Sequence, residues 1–326
     1  MKLTKTIAAA MAIVGAGTIQ FASPTFAQGY PERPITMIVP WGAGGGTDTL
    51  ARVLAEHMEK ELDTKINVVN QTGGGGVVGH SAMAEADPDG YTIGLATVEF
   101  TTFRALNQAD LGADSYTGIR RVAKLPGGVT VKADQPWENL EDFVEAVRND
   151  PEGTYTGSGC NLGCSWHLAL AGMLDQAGVD PNRMPWVPGT GGAQALQDVI
   201  SGGVTVYSGS LGEGKSMADG GLVKYLAVFN DERTSAAPDV PTVKEQLGFD
   251  WSAGSWFALV APKDVPAPII EKLNAAVDAV EAKAEYTDFL SGRGFLIATE
   301  KGAAFEQLMK DEEARATALI KKVGPK

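Results

Sequence analysis

From residue 30 onward, short apolar runs alternate with longer stretches in which apolar residues recur every three or four positions. Ile35-Thr36-Met37-Ile38-Val39 is rich in β-formers, follows Pro31 and Pro34, and stops at Pro40. Behind it stands Trp41-Gly42-Ala43-Gly44-Gly45-Gly46-Thr47-Asp48, and residues 49–62 then place Leu50, Val53, Leu54 and Met58 at helical spacing. The pattern predicts strand, glycine loop and helix, with Thr47 or Asp48 as the helix cap. It repeats at once. Ile66 to Asn70 reads as a strand, Gln71-Thr72-Gly73-Gly74-Gly75-Gly76 as a second loop, residues 77–86 as a helix, Pro88-Asp89-Gly90 as a turn and residues 91–97 as a strand. Two such units in succession predict a parallel sheet with both loops at one edge.

The rhythm shifts at Val129-Thr130-Val131, a short strand. A helix over 139–149 closes at Asp150-Pro151-Glu152-Gly153, and a third small-residue loop, 157–163, precedes a helix over 165–177. A strand at 184–187 leads through Pro188-Gly189-Thr190-Gly191-Gly192 to a helix over 193–201. Strands follow at 204–207, 225–228 and 256–260, then helices at 269–282 and 303–323, the last with Lys321, Lys322 and Lys326 at its C-terminal end. The result is α/β throughout, with two similar sheet layers and no solenoid period.

Composition changes this picture in three ways. Met1 to Lys5 is a basic start, residues 6–21 are small and apolar, and Thr25-Phe26-Ala27 puts small residues at −3 and −1 of a cleavage site. That is the plan of a secretory signal peptide over 1–27, and its apolar run is short of the ~20 residues a membrane span needs. Export to the periplasm is expected, with a soluble mature chain beginning near Gln28. Its length predicts two domains. The formal charge is −13, and loss of Lys2 and Lys5 deepens it, which excludes nucleic acid and anionic lipid as partners. An anionic ligand must then be held locally, by backbone N–H groups and helix starts. The two cysteines, Cys160 and Cys164, suit a small-loop disulfide in an oxidising compartment, unless a helix splays them. With three histidines and no ligand spacing around that pair, no metal is expected.

The chemistry concentrates in four glycine loops: 42–46, 73–76, 157–163 and 189–192. Each precedes a predicted helix start, where glycine admits close backbone approach and free N–H groups face an anion. Any one of them is explained as well by a tight strand-to-helix turn; two in each half favour a cleft between domains. The first lacks the GK[ST] ending of a nucleotide-binding loop. No G-x-S-x-G is present, and Ser158 near His167 does not make a dyad. C-x-x-x-C is not the redox spacing C-x-x-C. Trp41 serves equally as ligand wall or interdomain aromatic. Gly74, Gly76 and Gly79 match G-x-G-x-x-G, with Glu99 twenty residues on, so an exported dinucleotide-binding oxidoreductase is the rival reading. A scaffold protein that binds no small ligand is a third.

Residues 30–48, Pro88-Asp89-Gly90-Tyr91-Thr92, Ala237-Pro238-Asp239-Val240-Pro241-Thr242, His167-Leu168 after a glycine loop and Leu259-Val260-Ala261-Pro262 closely resemble the tripartite tricarboxylate transporter substrate-binding proteins, the TctC-like or Bug family. The resemblance covers nearly the whole mature chain. It implies a two-lobed periplasmic binding protein, type II-like, whose interlobe cleft holds a small organic carboxylate for delivery to the permease subunits of a tripartite membrane transporter. It implies no enzyme activity, no cofactor and a monomer. The lobes are expected at 28–128 plus 233–326 and at 129–232. The expected ligand-binding residues are Trp41, Gly42, Ala43, Gly44, Gly45, Thr47, Asp48, Thr72, Gly73, Gly74 and Thr97 from the first lobe. Ser158, Cys164, Ser165, Thr190 and Tyr207 are expected from the second. The carboxylate would dock on the N–H groups of Gly44 and Gly45, with the Thr47 and Thr72 hydroxyls assisting. Departures from the family pattern, Gly163-Cys164 for Gly-Ser and Tyr207-Ser208 in place of an acidic residue, all fall on the second lobe's side of the cleft.

Overall fold

The computed structural model describes residues 29–189 and 191–323; the expected signal peptide, Gln28 and Thr190 lie outside the described residues. Alternating burial builds the first sheet. Strands β1 (Ile35–Val39), β2 (Ile66–Asn70) and β3 (Thr92–Thr97) are parallel, with β1 between the other two. Met37 and Val39 face one core, where helices α1 (Gly46–Leu62), α8 (Ala267–Glu281) and α9 (Ala284–Ser291) pack. Ile38 faces the other, with α2 (Val77–Ala84) and α10 (Gly302–Val323). The parallel expectation holds for these three strands, but the sheet is mixed. β9 (Gly254–Pro262) inserts antiparallel between β3 and β4 (Tyr116–Pro126), and β10 (Leu296–Ile297) adds to the far edge.

β4 carries no alternation that predicts it. Two register shifts against β9, at Gly118/Arg120 and Arg121/Ala123, break the period of two. Arg120 is buried within it and tied to Asp278 and Glu281.

The second sheet orders β6 (Gly157–Ser158), β7 (Val206–Ser208), β5 (Gly128–Lys132) and β8 (Val223–Val228). Its larger core takes Val129 and Val131, Phe143 of α3 (Leu140–Asn149), Leu170 and Met173 of α4 (Ser165–Gln176), and Val243 of α7 (Val243–Leu247). The opposite face takes Leu196 and Val199 of α5 (Gly192–Ser201) with Tyr207. α6 (Lys215–Asp219) is a single short turn. The strand expected at 184–187 is reduced to one bridge, Gly157 to Trp186.

The chain crosses between sheets twice, at Gly127 and between Ala253 and Gly254. The Gly127 N–H donates to Ala253 O at 3.0 Å, the Ala253 N–H to Phe229 O at 3.1 Å and the Phe229 N–H to Gly127 O at 2.8 Å. Gly254 has φ 156°, and a Cβ there would meet Leu125 O at 2.3 Å, so only glycine lets the two crossings run side by side. Val243 and Trp251 lie in the second core, so part of the stretch 233–253, expected with the first lobe, packs on the second sheet. α10 links the two: Ala316 and Ile320 meet Leu168 of α4, and Lys322 pairs with Asp175.

Candidate functional site

The first glycine loop ends at Gly45, which is the N-cap of α1 and offers no side-chain cap. Thr47 and Asp48, expected as caps, sit inside the first turn. The start of α1 therefore keeps N–H groups that no capping side chain uses. Asp48 does something else. Its carboxylate accepts the Gly44 N–H at 2.8 Å, Arg52 Nε at 3.0 Å and Asn70 Nδ2 at 2.8 Å. Burial pushes its carboxyl up, yet the bonds from Arg52, Gly44 and Asn70 with the Arg52 charge bring it down to about 2. Asp48 is thus a brace for the loop, and the Gly44 N–H expected to hold ligand is already taken by it. Gly45 N–H makes a long bond, 3.4 Å, to Gly42 O. Asn70 also donates to Trp41 O at 2.9 Å, tying the end of β2 to the first loop.

In the second loop Gly73, Gly74, Gly75 and Gly76 all have positive φ, from 57° to 135°, a run that only glycine sustains. His80, fully buried on α2, clamps it. The Thr97 N–H donates to His80 Nε2 at 3.1 Å, so the proton is on Nδ1, which donates to Gly76 O at 2.8 Å. Burial pushes this imidazole down to about 4, against those backbone bonds. Trp41 lies over the same glycine: a Cβ at Gly76 would sit 3.2 Å from its ring. The indole Nε1 donates to Thr97 Oγ1 at 3.0 Å.

The second lobe contributes residues 157–166. Cys160 and Cys164 are joined in a disulfide. Cys164 is the N-cap of α4, again without a side-chain cap. Cys160 O accepts from Trp186 Nε1 and from the Gly189 N–H, both at 3.0 Å. His167 Nδ1 accepts the Gly163 N–H at 3.0 Å, and its ring lies 4.8 Å from that of Trp186. Burial pushes His167 down to about 4 as well.

Between the lobes lies a cavity of about 160 Å³. Trp41, Gly75, Glu99, Thr102, Phe103, Leu106 and Gln108 line it from the first lobe, and Cys160 to Trp166 with Gly189 from the second. Ser165 Oγ reaches across to Glu99 Oε1 at 3.3 Å. Of the expected ligand residues, the structure brings Trp41, Cys164 and Ser165 to this lining. Gly42 to Gly46 and Thr72 to Gly74 are exposed and outside this lining, whereas Thr47 is buried. Thr97 is buried one hydrogen bond behind Trp41. Ser158 is occupied with Val187 O at 2.8 Å. Tyr207 is fully buried and its hydroxyl donates to Glu213, so it is withdrawn from the cavity.

Sequence reasoning missed Thr102, Phe103, Leu106, Gln108 and Trp166, which carry no motif, and gave Glu99 another role. Its place just past the end of β3, at the edge where both first-lobe glycine loops emerge, was the available signal. The dinucleotide reading fails on topology. In that fold the glycine-loop strand and the strand bearing the acid are neighbours, but β1 separates β2 from β3, and Glu99 faces Ser165. Among the described residues no three His, Cys, Asp or Glu side chains gather to hold a metal.

Comparison with known proteins gives a consistent result. Residues 50–325 match the tripartite tricarboxylate transporter family receptor. A TctC solute-binding protein from Polaromonas is 31% identical, with TM-score 0.79 over 90% of this chain and 100% of that one. MatC from Rhodopseudomonas palustris, solved with bound malate, is 26% identical, with TM-score 0.71 over 89% and 100% of the two chains. A second R. palustris protein, solved with adipate, is 26% identical, with TM-score 0.74 over 91% and 99%.

Proposed function

The chain belongs to the tripartite tricarboxylate transporter family of receptors, which are periplasmic solute-binding proteins, and from this premise we propose that it captures a small organic carboxylate between its lobes. The bound acid passes unchanged to the membrane subunits of a tripartite transporter, after export directed by residues 1–27. The lobes that close on it are built from residues 29–126 with 254–323, and from the described residues of 128–253, joined at the paired crossings.

The observation that supports this most is the start of α4. Its N-terminal turn, uncapped by any side chain, opens into a cavity shared by both lobes. Such a turn presents N–H donors and the positive end of the helix to an anion, without a counter-charge of its own. The start of α1 on the opposite lobe, beside Trp41, is likewise uncapped by a side chain, although its first turn carries Asp48. Two relatives were solved with malate and with adipate, both small carboxylates. Titration calorimetry on residues 28–326, refolded to strip any bound ligand, against mono-, di- and tricarboxylates tests the reading. Saturable binding by one class, weakened at least tenfold in Gly45→Asp, is expected. Gly45→Asp with full affinity would put the ligand somewhere other than the start of α1.

A further inference from the structure

We propose that Glu99 makes this cleft select acids that also carry a protonated amino group over plain carboxylates. The inference rests on the carboxylate-binding reading and narrows it. Among the described residues, the cavity lining contains no Lys, Arg or His, and Glu99 is its single charged side chain. A site for a simple dianion would gain from a cation and lose from a carboxylate; this one has the reverse.

The Glu99 carboxylate is held in place. Ser165 Oγ donates to it from the other lobe. The Thr97 hydroxyl, which accepts the Trp41 indole N–H, also favours the charged form of Glu99. Among the described residues Glu99 makes no ion pair. Arg315, which lines the adjoining cavity with Glu99, is committed to Glu312 at 2.8 Å. Burial pushes the Glu99 carboxyl pKa up despite the two hydroxyls, a cost that an opposite charge placed against it would offset. A ligand ammonium supplies that charge. The Trp41 ring on the same wall favours a cation as well, while the α4 start, whose first residue Ser165 touches Glu99, takes the adjacent carboxylate.

The test is titration calorimetry of residues 28–326 with matched acids and amino acids: succinate against aspartate, glutarate against glutamate, propionate against alanine. In the wild-type protein the amino member of the matching pair binds about tenfold to hundredfold tighter, the range of a charged hydrogen bond. Glu99→Gln keeps the shape, removes the charge and closes most of that gap. Plain acids that bind wild type as tightly as their amino partners overturn the inference and leave the carboxylate reading standing. So does a gap that survives Glu99→Gln. Absence of binding by every member of both series overturns the carboxylate reading and this inference together. The wild-type comparison stands whether or not the variant folds.

Discussion

Each lobe fixes its cleft loop with a buried histidine placed four residues after a loop glycine, and the two do it with opposite protonation. His80 donates from Nδ1 to the carbonyl of Gly76, while His167 accepts at Nδ1 from the N–H of Gly163. In the first lobe the chain before the histidine must turn through four positive-φ glycines, which leaves a carbonyl facing the helix. In the second, Gly163 alone is left-handed there (φ 79°) and its N–H faces the helix instead. The same residue type solves both because a neutral imidazole offers one donor and one acceptor, and the loop chooses which nitrogen keeps the proton. The remaining support differs in kind. The first lobe braces its loops with side chains from neighbouring elements, Asp48 and Asn70; the second uses the Cys160–Cys164 disulfide.

The largest expected effect attacks both clamps at once, through acid. Each histidine is held near 4 in the folded protein against about 6.5 when unfolded. The unfolded chain therefore takes up protons first as pH falls. Each clamp's contribution is whole above pH 6.5 and is lost progressively down to pH 4, about 3 kcal/mol apiece. His80→Gln and His167→Gln should each flatten the pH dependence of urea-unfolding free energy by about 1.4 kcal/mol per pH unit between pH 6 and 5. Taking the difference from wild type removes the opposing slope of Glu281, whose carboxyl burial pushes up to about 7. A slope that changes in one variant only would show that the two clamps are not equivalent.

Asp48→Ala comes next and breaks the first lobe alone. It strands the Gly44 N–H and Asn70 and frees Arg52, at a cost of about 2–3 kcal/mol. The same denaturation measurement reads it, and ligand affinity should fall with it. Asp48→Asn, which keeps an acceptor for Gly44, should recover part of the loss. Equal stability of Asp48→Ala and wild type would mean that the glycine loop needs no brace.

That Asp48 would be a brace rather than a cap or ligand group was not readable in the sequence, and the reason generalises. Local pattern showed the strand, glycine loop and helix units, because period and glycine content are properties of neighbouring residues. It placed β1, β2, β3 and most long helices within a few residues of where they lie. It could not show which N–H groups the loops spend on themselves, since Asp48 meets Gly44 only once φ 82° at that glycine folds the loop over α1. Nor could it show β4, whose bulges and buried Arg120 make sense only against β9, more than a hundred residues on. Glu99 had the right position and the wrong partner for the same reason: strand order decides what lies opposite the end of β3. Tyr207 is withdrawn from the cleft because Glu213, six residues on, holds its hydroxyl.

Removing the covalent staple tests the second lobe. Replacing Cys160 and Cys164 together by Ser opens a ring of a few residues and should cost about 2 kcal/mol. Reductant should shift wild type to the same unfolding midpoint and leave the double variant unmoved. If the first lobe's clamps are independent, combining this change with Asp48→Ala gives an additive loss; a shortfall would reveal coupling through the Glu99–Ser165 contact.

The smallest effect separates backbone from side chain at one residue. Thr97 serves the first-lobe clamp with its N–H, bonded to His80, and serves the cleft wall with its hydroxyl, which accepts from Trp41 and favours the charge of Glu99. Thr97→Val keeps the first and deletes the second. One buried indole N–H loses its acceptor, which should cost about 1 kcal/mol. Because His80 still receives the Thr97 N–H, the pH slope assigned to that histidine should stay as in wild type. The Glu99 carboxylate loses a hydroxyl that favours its charged form and becomes harder to keep charged, so any preference for amino-bearing ligands should weaken without disappearing. If the acid slope changes along with the stability, the clamp and the cleft wall are one unit, and loop support and ligand contact are not separate in the first lobe.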